Sequence, residues 1–108
     1  MRGLRSRGTY KGKKLDYILG VRVVEGKKIV TICDKGLFEK GFFLDPAQAA
    51  YFKGVPADLP YVYEVATTAD FTSCLGRRTV TSLIKLGFID KASVHMLHGV
   101  EYAEVYRI

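Results

Sequence analysis

The residues from Leu15 to Asp34 contain two β-branched runs separated by Glu25-Gly26-Lys27. The residues that alternate with their neighbours are Val21 and Val23 in the first run, and Ile29, Thr31 and Cys33 in the second. A period of two is the spacing of side chains on one face of a strand, and a short glycine-containing break is typical of a tight turn. The pattern therefore predicts an antiparallel β-hairpin near the start of the chain.

A second hairpin is predicted at the other end of the chain. The runs Val94–Leu97 and Tyr102–Ile108 flank the turn-like sequence His98-Gly99-Val100-Glu101. Strands at both ends, with other elements between them, indicate an α+β domain.

Helix signals lie between the two hairpins. Asp45-Pro46 places a capping residue before a proline at the first helical position, and Gly54 provides a stop, so residues 46–53 are predicted to be a short helix. Residues 77–86 repeat apolar positions at helical spacing and end before Gly87, which predicts an amphipathic helix.

Two other segments are less regular. Asp34 is expected to cap a short turn through residues 36–39. The segment Val55–Phe71 mixes strand propensity at residues 61–63 with helical spacing, and Asp58 before Leu59-Pro60 favours a helix. The predicted fold is thus a small mixed α+β domain with N-terminal and C-terminal β-hairpins and two to three helices between them.

Charge divides the chain into two parts. The net charge of the 108 residues is +6, and residues 15–108 carry 11 basic and 11 acidic side chains. The excess therefore lies in residues 1–14, which hold no acid and six basic residues: Arg2, Arg5, Arg7, Lys11, Lys13 and Lys14. We interpret residues 1–14 as a basic N-terminal arm and residues 15–108 as a single globular domain.

The arm has the composition of an RNA-binding segment. Its cations are interleaved with three glycines and with Tyr10, whose ring can stack on a base. A flexible solubilising tail and an anionic membrane surface are the alternatives, but membrane binding normally needs an apolar anchor as a second signal. No apolar run is long enough for a membrane span or a signal peptide, so a cytoplasmic protein is expected.

The remaining candidate residues give weaker signals. Arg77 and Arg78 begin a predicted helix, where free backbone N–H groups favour an anion, although both can simply solvate the outer face. His95 and His98 should point to opposite faces of a strand, so no metal is expected. Cys33 and Cys74 are expected to be buried free thiols of a reducing compartment. No nucleotide-binding or nucleophile motif is present, so neither an enzyme nor a cofactor is predicted.

Four blocks carry a resemblance to a known family: VRVVEGKKIVTICDKGL, FKG, SCLGRRTVTSLIKLGFID and HGVEYAEVYRI. Over about residues 17–108 the chain resembles the archaeal domain-of-unknown-function family 424, to which the arm is an extension. TSCLG, His98 and Tyr102 depart from the usual pattern of that family. The resemblance implies an archaeal, cytoplasmic α+β protein with helix in the Val55–Phe71 segment, no established catalytic residues, and genes among those of translation and ribosome biogenesis.

These observations predict a ribosome-associated RNA-binding protein, either an archaeal ribosomal protein or a translation or assembly factor. Its expected partners are rRNA and ribosomal proteins, without a membrane or a small-molecule substrate. The predicted RNA-binding residues are Arg2, Arg5, Arg7, Tyr10, Lys11, Lys13, Lys14, Arg77 and Arg78. The alternative is a small protein–protein interaction module of the translation machinery, in which Phe42, Phe43, Tyr51 and Phe52 form the partner surface.

Overall fold

The computed structural model describes residues 14–43 and 45–107. Its strands are β1 (Tyr17–Val24), β2 (Lys27–Asp34), β3 (Val55–Ala57), β4 (Phe71–Leu75), β5 (His95–Leu97) and β6 (Val100–Tyr106). Its helices are α1 (Lys35–Glu39), α2 (Pro46–Tyr51), α3 (Leu59–Ala66) and α4 (Arg77–Lys85), followed by one 3₁₀ turn at Lys91–Ser93. The six strands form one mixed sheet in the order β3-β1-β2-β4-β6-β5.

Both predicted hairpins are present. Strands β1 and β2 pair over their full length, from Tyr17 opposite Asp34 to Val24 opposite Lys27. The turn uses positive φ angles at Glu25 (51°) and Gly26 (79°), as a two-residue hairpin turn of matching twist requires. Strands β5 and β6 form the second hairpin, whose two-residue turn, His98-Gly99, has the same signs of φ.

The two hairpins are joined by β4, a central strand that the sequence pattern does not reveal. It pairs in parallel with β2 and antiparallel with β6. A central strand is covered on both faces and loses the apolar–polar alternation that marks a half-exposed strand. Its residues Thr72, Ser73, Cys74 and Leu75 are all buried accordingly.

One face of the sheet packs against α3 and α4. The fully buried side chains on this side include Val30, Ile32, Val62, Val80 and Leu83. Tyr17 adds a polar link, because its hydroxyl lies 2.9 Å from the hydroxyl of Ser82 on α4. The main core of the domain therefore lies between the sheet and these two helices.

The opposite face is only partly covered. Cys33, Phe52 and Leu75 are buried there beneath half-buried side chains from α1, α2 and the segment between them, including Phe38, Phe42 and Phe43. Among the described residues, three hydrophobic side chains are buried in this second core, against thirteen in the first. The second core is thus smaller than the first.

The predicted α+β class is confirmed, with strands towards both ends of the described part of the chain. The helices predicted at residues 46–53 and 77–86 are α2 and α4, and the favoured helix in Val55–Phe71 is α3, which Asp58 caps by accepting a hydrogen bond from the Tyr61 N–H at 3.1 Å. Strand β3 was not predicted, because it is a three-residue edge strand that contains Pro56. Among the described residues, no helix is long and apolar enough to cross a membrane.

Candidate nucleic-acid interface

Asp34, the last residue of β2, organises the part of the surface where Arg77 and Arg78 lie. Its carboxylate accepts hydrogen bonds from the Arg78 N–H at 3.0 Å, the Thr79 N–H at 2.7 Å and the Thr79 hydroxyl at 2.7 Å. These donors belong to the first turn of α4, whose N–H groups have no partner within the helix. Asp34 therefore caps α4, a helix that begins 43 positions further along the chain.

This arrangement corrects the prediction that Asp34 caps the turn directly after it. The main chain of Asp34 does occupy the position before α1, but its side chain makes no capping hydrogen bond to that helix. The longer-range partner is favoured because α4 presents two N–H groups and a buried hydroxyl to one carboxylate, whereas α1 has only five residues.

Gly76 makes the contact between Asp34 and α4 possible. Its φ of 116° lies in a region that side chains rarely adopt, and a Cβ placed there would meet the Asp34 Cγ at 2.4 Å. The backbone conformation at Gly76 and the close approach of the Asp34 carboxylate therefore explain the glycine of the SCLGRR block without a bound ligand.

The capping carboxylate changes the interpretation of Arg77 and Arg78. Two of the N–H groups that could have held an anion at the start of α4 already donate to Asp34. Both arginine side chains are exposed, and the Arg78 guanidinium lies 3.6 Å from the Asp16 carboxylate. The Asp34 carboxylate thus occupies the anion-binding position at the start of α4. Arg77 and Arg78 could therefore bind an anion through their exposed side chains, but not together with these two backbone N–H groups.

A shallow depression of about 780 Å³ lies beside this capped helix start. Its walls carry the cations Lys14, Lys35, Lys40 and Arg78 and the carboxylates Asp16, Asp34 and Glu39. The Asp34 carboxylate is hydrogen-bonded to the first turn of α4, and the Glu39 Oε2 lies 3.9 Å from the Lys35 Nζ. Lys14 is the last residue of the predicted basic arm, and it lines the same depression as Arg78.

The structure places three of the nine predicted RNA-binding residues. Lys14 and Arg78 line one depression, and Arg77 and Arg78 line the depression next to it. The other six lie outside the described residues: Arg2, Arg5, Arg7, Tyr10, Lys11 and Lys13.

The aromatic region that the alternative hypothesis treats as a partner surface is partly a core. Phe52 is buried, while Phe42, Phe43 and Tyr51 are half-buried. Their rings contact one another, with centroids 5.2 Å apart for Phe42 and Phe43 and 5.7 Å apart for Phe43 and Phe52. Packing on the sheet accounts for this cluster.

The two thiols are buried and free, as predicted. Burial raises the pKa of the Cys33 and Cys74 thiols to about 12, and for Cys33 the neighbouring Asp34 carboxylate adds to the rise. Such thiols stay protonated and unreactive near neutral pH.

The two histidines are exposed, on β5 and in the turn after it. Within residues 14–43 and 45–107 no three His, Cys, Asp or Glu side chains form a cluster suited to a metal ion.

Comparison with known proteins gives a fold neighbour. No family model and no curated protein matches the sequence. The fold is similar to the crystal structure of an uncharacterised conserved protein from Methanopyrus kandleri, with a TM-score of 0.61 and 13% sequence identity over 83% of this chain and 90% of that one. At this identity the likeness concerns the fold alone, and the resemblance to family 424 stays a prediction.

Proposed function

We propose that the chain is a cytoplasmic, ribosome-associated RNA-binding protein, a ribosomal protein or a translation or assembly factor of the archaeal type. Residues 1–14 contact rRNA phosphates, while the neutral body sets the position of the arm. The observation that carries the proposal is the separation of charge: six cations and no acid in residues 1–14, against equal numbers of both signs in residues 15–108.

The point of attachment supports this division of roles. Lys14 lines the depression that also holds Lys35, Lys40 and Arg78, and Arg77 lies on the neighbouring wall. A strand of RNA that follows the arm to the body would meet these side chains next. Arginine suits this role because its planar guanidinium forms forked hydrogen bonds to phosphate and stacks on bases.

The body contributes less to affinity than the arm. Its cations near the arm are interspersed with Asp16, Asp34 and Glu39, so phosphate attraction there is partly cancelled. Specific placement on a ribosomal subunit would then come from shape and from contacts with ribosomal proteins, whereas the arm supplies a salt-sensitive attraction that does not depend on sequence.

Co-sedimentation with archaeal ribosomal subunits tests the proposal. The full chain should pellet with a subunit at physiological salt, and a variant lacking residues 1–14 should remain in the supernatant. Equal pelleting of the two proteins would refute the role of the arm. Circular dichroism of the shortened protein confirms that the body is folded.

A further inference from the structure

On the face of the sheet that carries the smaller core, one row of side chains crosses four strands. Arg22 lies opposite Ile29, Ile29 opposite Phe71, and Phe71 opposite Tyr106. Residues opposite one another in a ladder project from the same face of the sheet. The row therefore runs from a cation on β1 to a pair of aromatic rings on β4 and β6.

The aromatic pair is accessible from solvent. The rings of Phe71 and Tyr106 have centroids 4.6 Å apart and are tilted by 41°. Tyr106 is 67% exposed, and Phe71, whose ring contacts it, is half-buried. An aromatic ring exposed on a sheet face is the feature on which RNA-binding sheets stack unpaired bases.

The neighbouring row supplies hydrogen-bond acceptors beside these rings. Glu104 is exposed, and its carboxylate accepts hydrogen bonds from the hydroxyls of Tyr102 and, at 3.4 Å, Tyr106. A carboxylate has about four acceptor positions, so two tyrosine donors leave room for further donors. The amino group of cytosine is a donor that Glu side chains accept.

Arg22 lies at the opposite end of the row. It donates to the Tyr51 carbonyl at 2.6 Å, and its guanidinium carbon lies 5.1 Å from the centre of the Tyr51 ring. The ion pairs between described residues do not include Arg22. Its positive charge is therefore held near the sheet face without a neutralising carboxylate, which suits a phosphate.

We propose that this face binds unpaired RNA: a base stacks on Tyr106 and Phe71, Glu104 accepts a hydrogen bond from the amino group of that base, and Arg22, three strands away, attracts a phosphate of a neighbouring nucleotide. The inference rests on the proposed RNA-binding function and adds a second site, on the body and distinct from the arm. Because Glu104 selects an amino group, the site prefers cytidine to uridine.

Binding of labelled oligocytidylate by the full chain, followed by fluorescence anisotropy, tests this site. Tyr106→Leu removes the ring and keeps an apolar side chain, and it should weaken binding roughly 5- to 150-fold, the range for loss of one stacked base. Tyr106→Phe keeps the ring and should bind nearly as the unaltered chain does. The matched control is Tyr61→Leu, because Tyr61 is 47% exposed on α3, on the other side of the sheet.

The same assay with oligouridylate tests the role of Glu104. The unaltered chain should bind oligocytidylate more tightly than oligouridylate, and Glu104→Ala should remove most of that difference. Equal affinity of the unaltered chain for the two oligonucleotides would overturn the assignment of Glu104.

Further results separate this inference from the function on which it rests. If neutralising the arm abolishes binding while Tyr106→Leu matches the unaltered chain, the sheet-face site is wrong and the arm proposal stands. Equal losses in Tyr106→Leu and Tyr61→Leu would also overturn the sheet-face site. If the unaltered chain binds neither oligonucleotide, the site is refuted, and co-sedimentation with ribosomal subunits decides the proposed function separately.

The chain contains no tryptophan, so Tyr106→Trp provides a second readout. Stacking of a base should quench its emission on addition of oligocytidylate, whereas Tyr61→Trp should be unaffected. Unchanged emission from Tyr106→Trp at saturating oligonucleotide would contradict stacking at this position.

Discussion

Replacing Asp34 with alanine should destabilise the domain far more than removal of an ordinary surface carboxylate. The substitution removes three hydrogen bonds to one ionised side chain, from the Arg78 N–H and from the N–H and hydroxyl of Thr79. Arg78 is exposed, so water can replace its partner. Thr79 is fully buried, so its hydroxyl would be left without an acceptor.

The magnitude follows from these two losses. Loss of a helix cap costs about 0.5–2 kcal/mol, and a buried polar group left without a partner costs about 1–3 kcal/mol. We therefore expect Asp34→Ala to lower the free energy of unfolding by about 3 kcal/mol. For a domain of this size that corresponds to a fall in Tm of roughly 12–24 °C.

Urea unfolding followed by circular dichroism measures the change. Asp45→Ala is the matched control, because Asp45 is exposed and accepts one hydrogen bond, from the Ala47 N–H at 2.9 Å. That control should lose about 0.5–1 kcal/mol, near the lower end of the range for caps. Equal losses in the two variants would refute the argument that Asp34 joins β2 to α4.

Two further predictions concern Gly76, which lies against Asp34, and the two buried thiols. Gly76→Ala should lower the free energy of unfolding by more than about 2 kcal/mol, because a φ of 116° is strained for alanine and the added Cβ displaces Asp34. Gly87→Ala should lower it by about 1 kcal/mol, because Gly87 also has a positive φ, 78°, but has open space around it. Equal costs in urea unfolding would contradict the role of Gly76. The free energy of unfolding should also fall as pH rises above about 9, because the unfolded thiols of Cys33 and Cys74 ionise there while their pKa in the fold is about 12. The slope should approach about 1.4 kcal/mol per pH unit for each thiol, and a Cys33→Ala, Cys74→Ala variant that retains the full slope would disprove this cause.

The sequence predicts the parts of this fold that depend on local pattern. The hairpin around Gly26 is visible because its strands alternate, and the helices after Asp45 and Asp58 are visible because a cap and a proline lie together. Strand β4 is not visible, since its Thr72 and Ser73 are buried on opposite faces and show no alternation.

The candidate interface is only partly predictable for a related reason. Asp34 and α4 meet only through the pairing of β2 with β4, and no local signal connects a carboxylate with a helix so distant in the chain. Likewise, the row from Arg22 to Tyr106 exists only through the registers of three strand pairs. The excess of basic side chains in residues 1–14, by contrast, is apparent from the sequence alone.

The dependence of RNA affinity on salt tests the central claim most directly. Neutralisation of about six phosphates by the arm predicts a slope of roughly −4 for log affinity against log salt with single-stranded RNA. Replacing Lys11, Lys13 and Lys14 with glutamine should bring the slope to about −2. Replacing the exposed Lys53, Lys85 and Lys91 with glutamine removes the same charge from the body and should leave the slope near its original value. Equal slopes for the two triple variants would contradict the account.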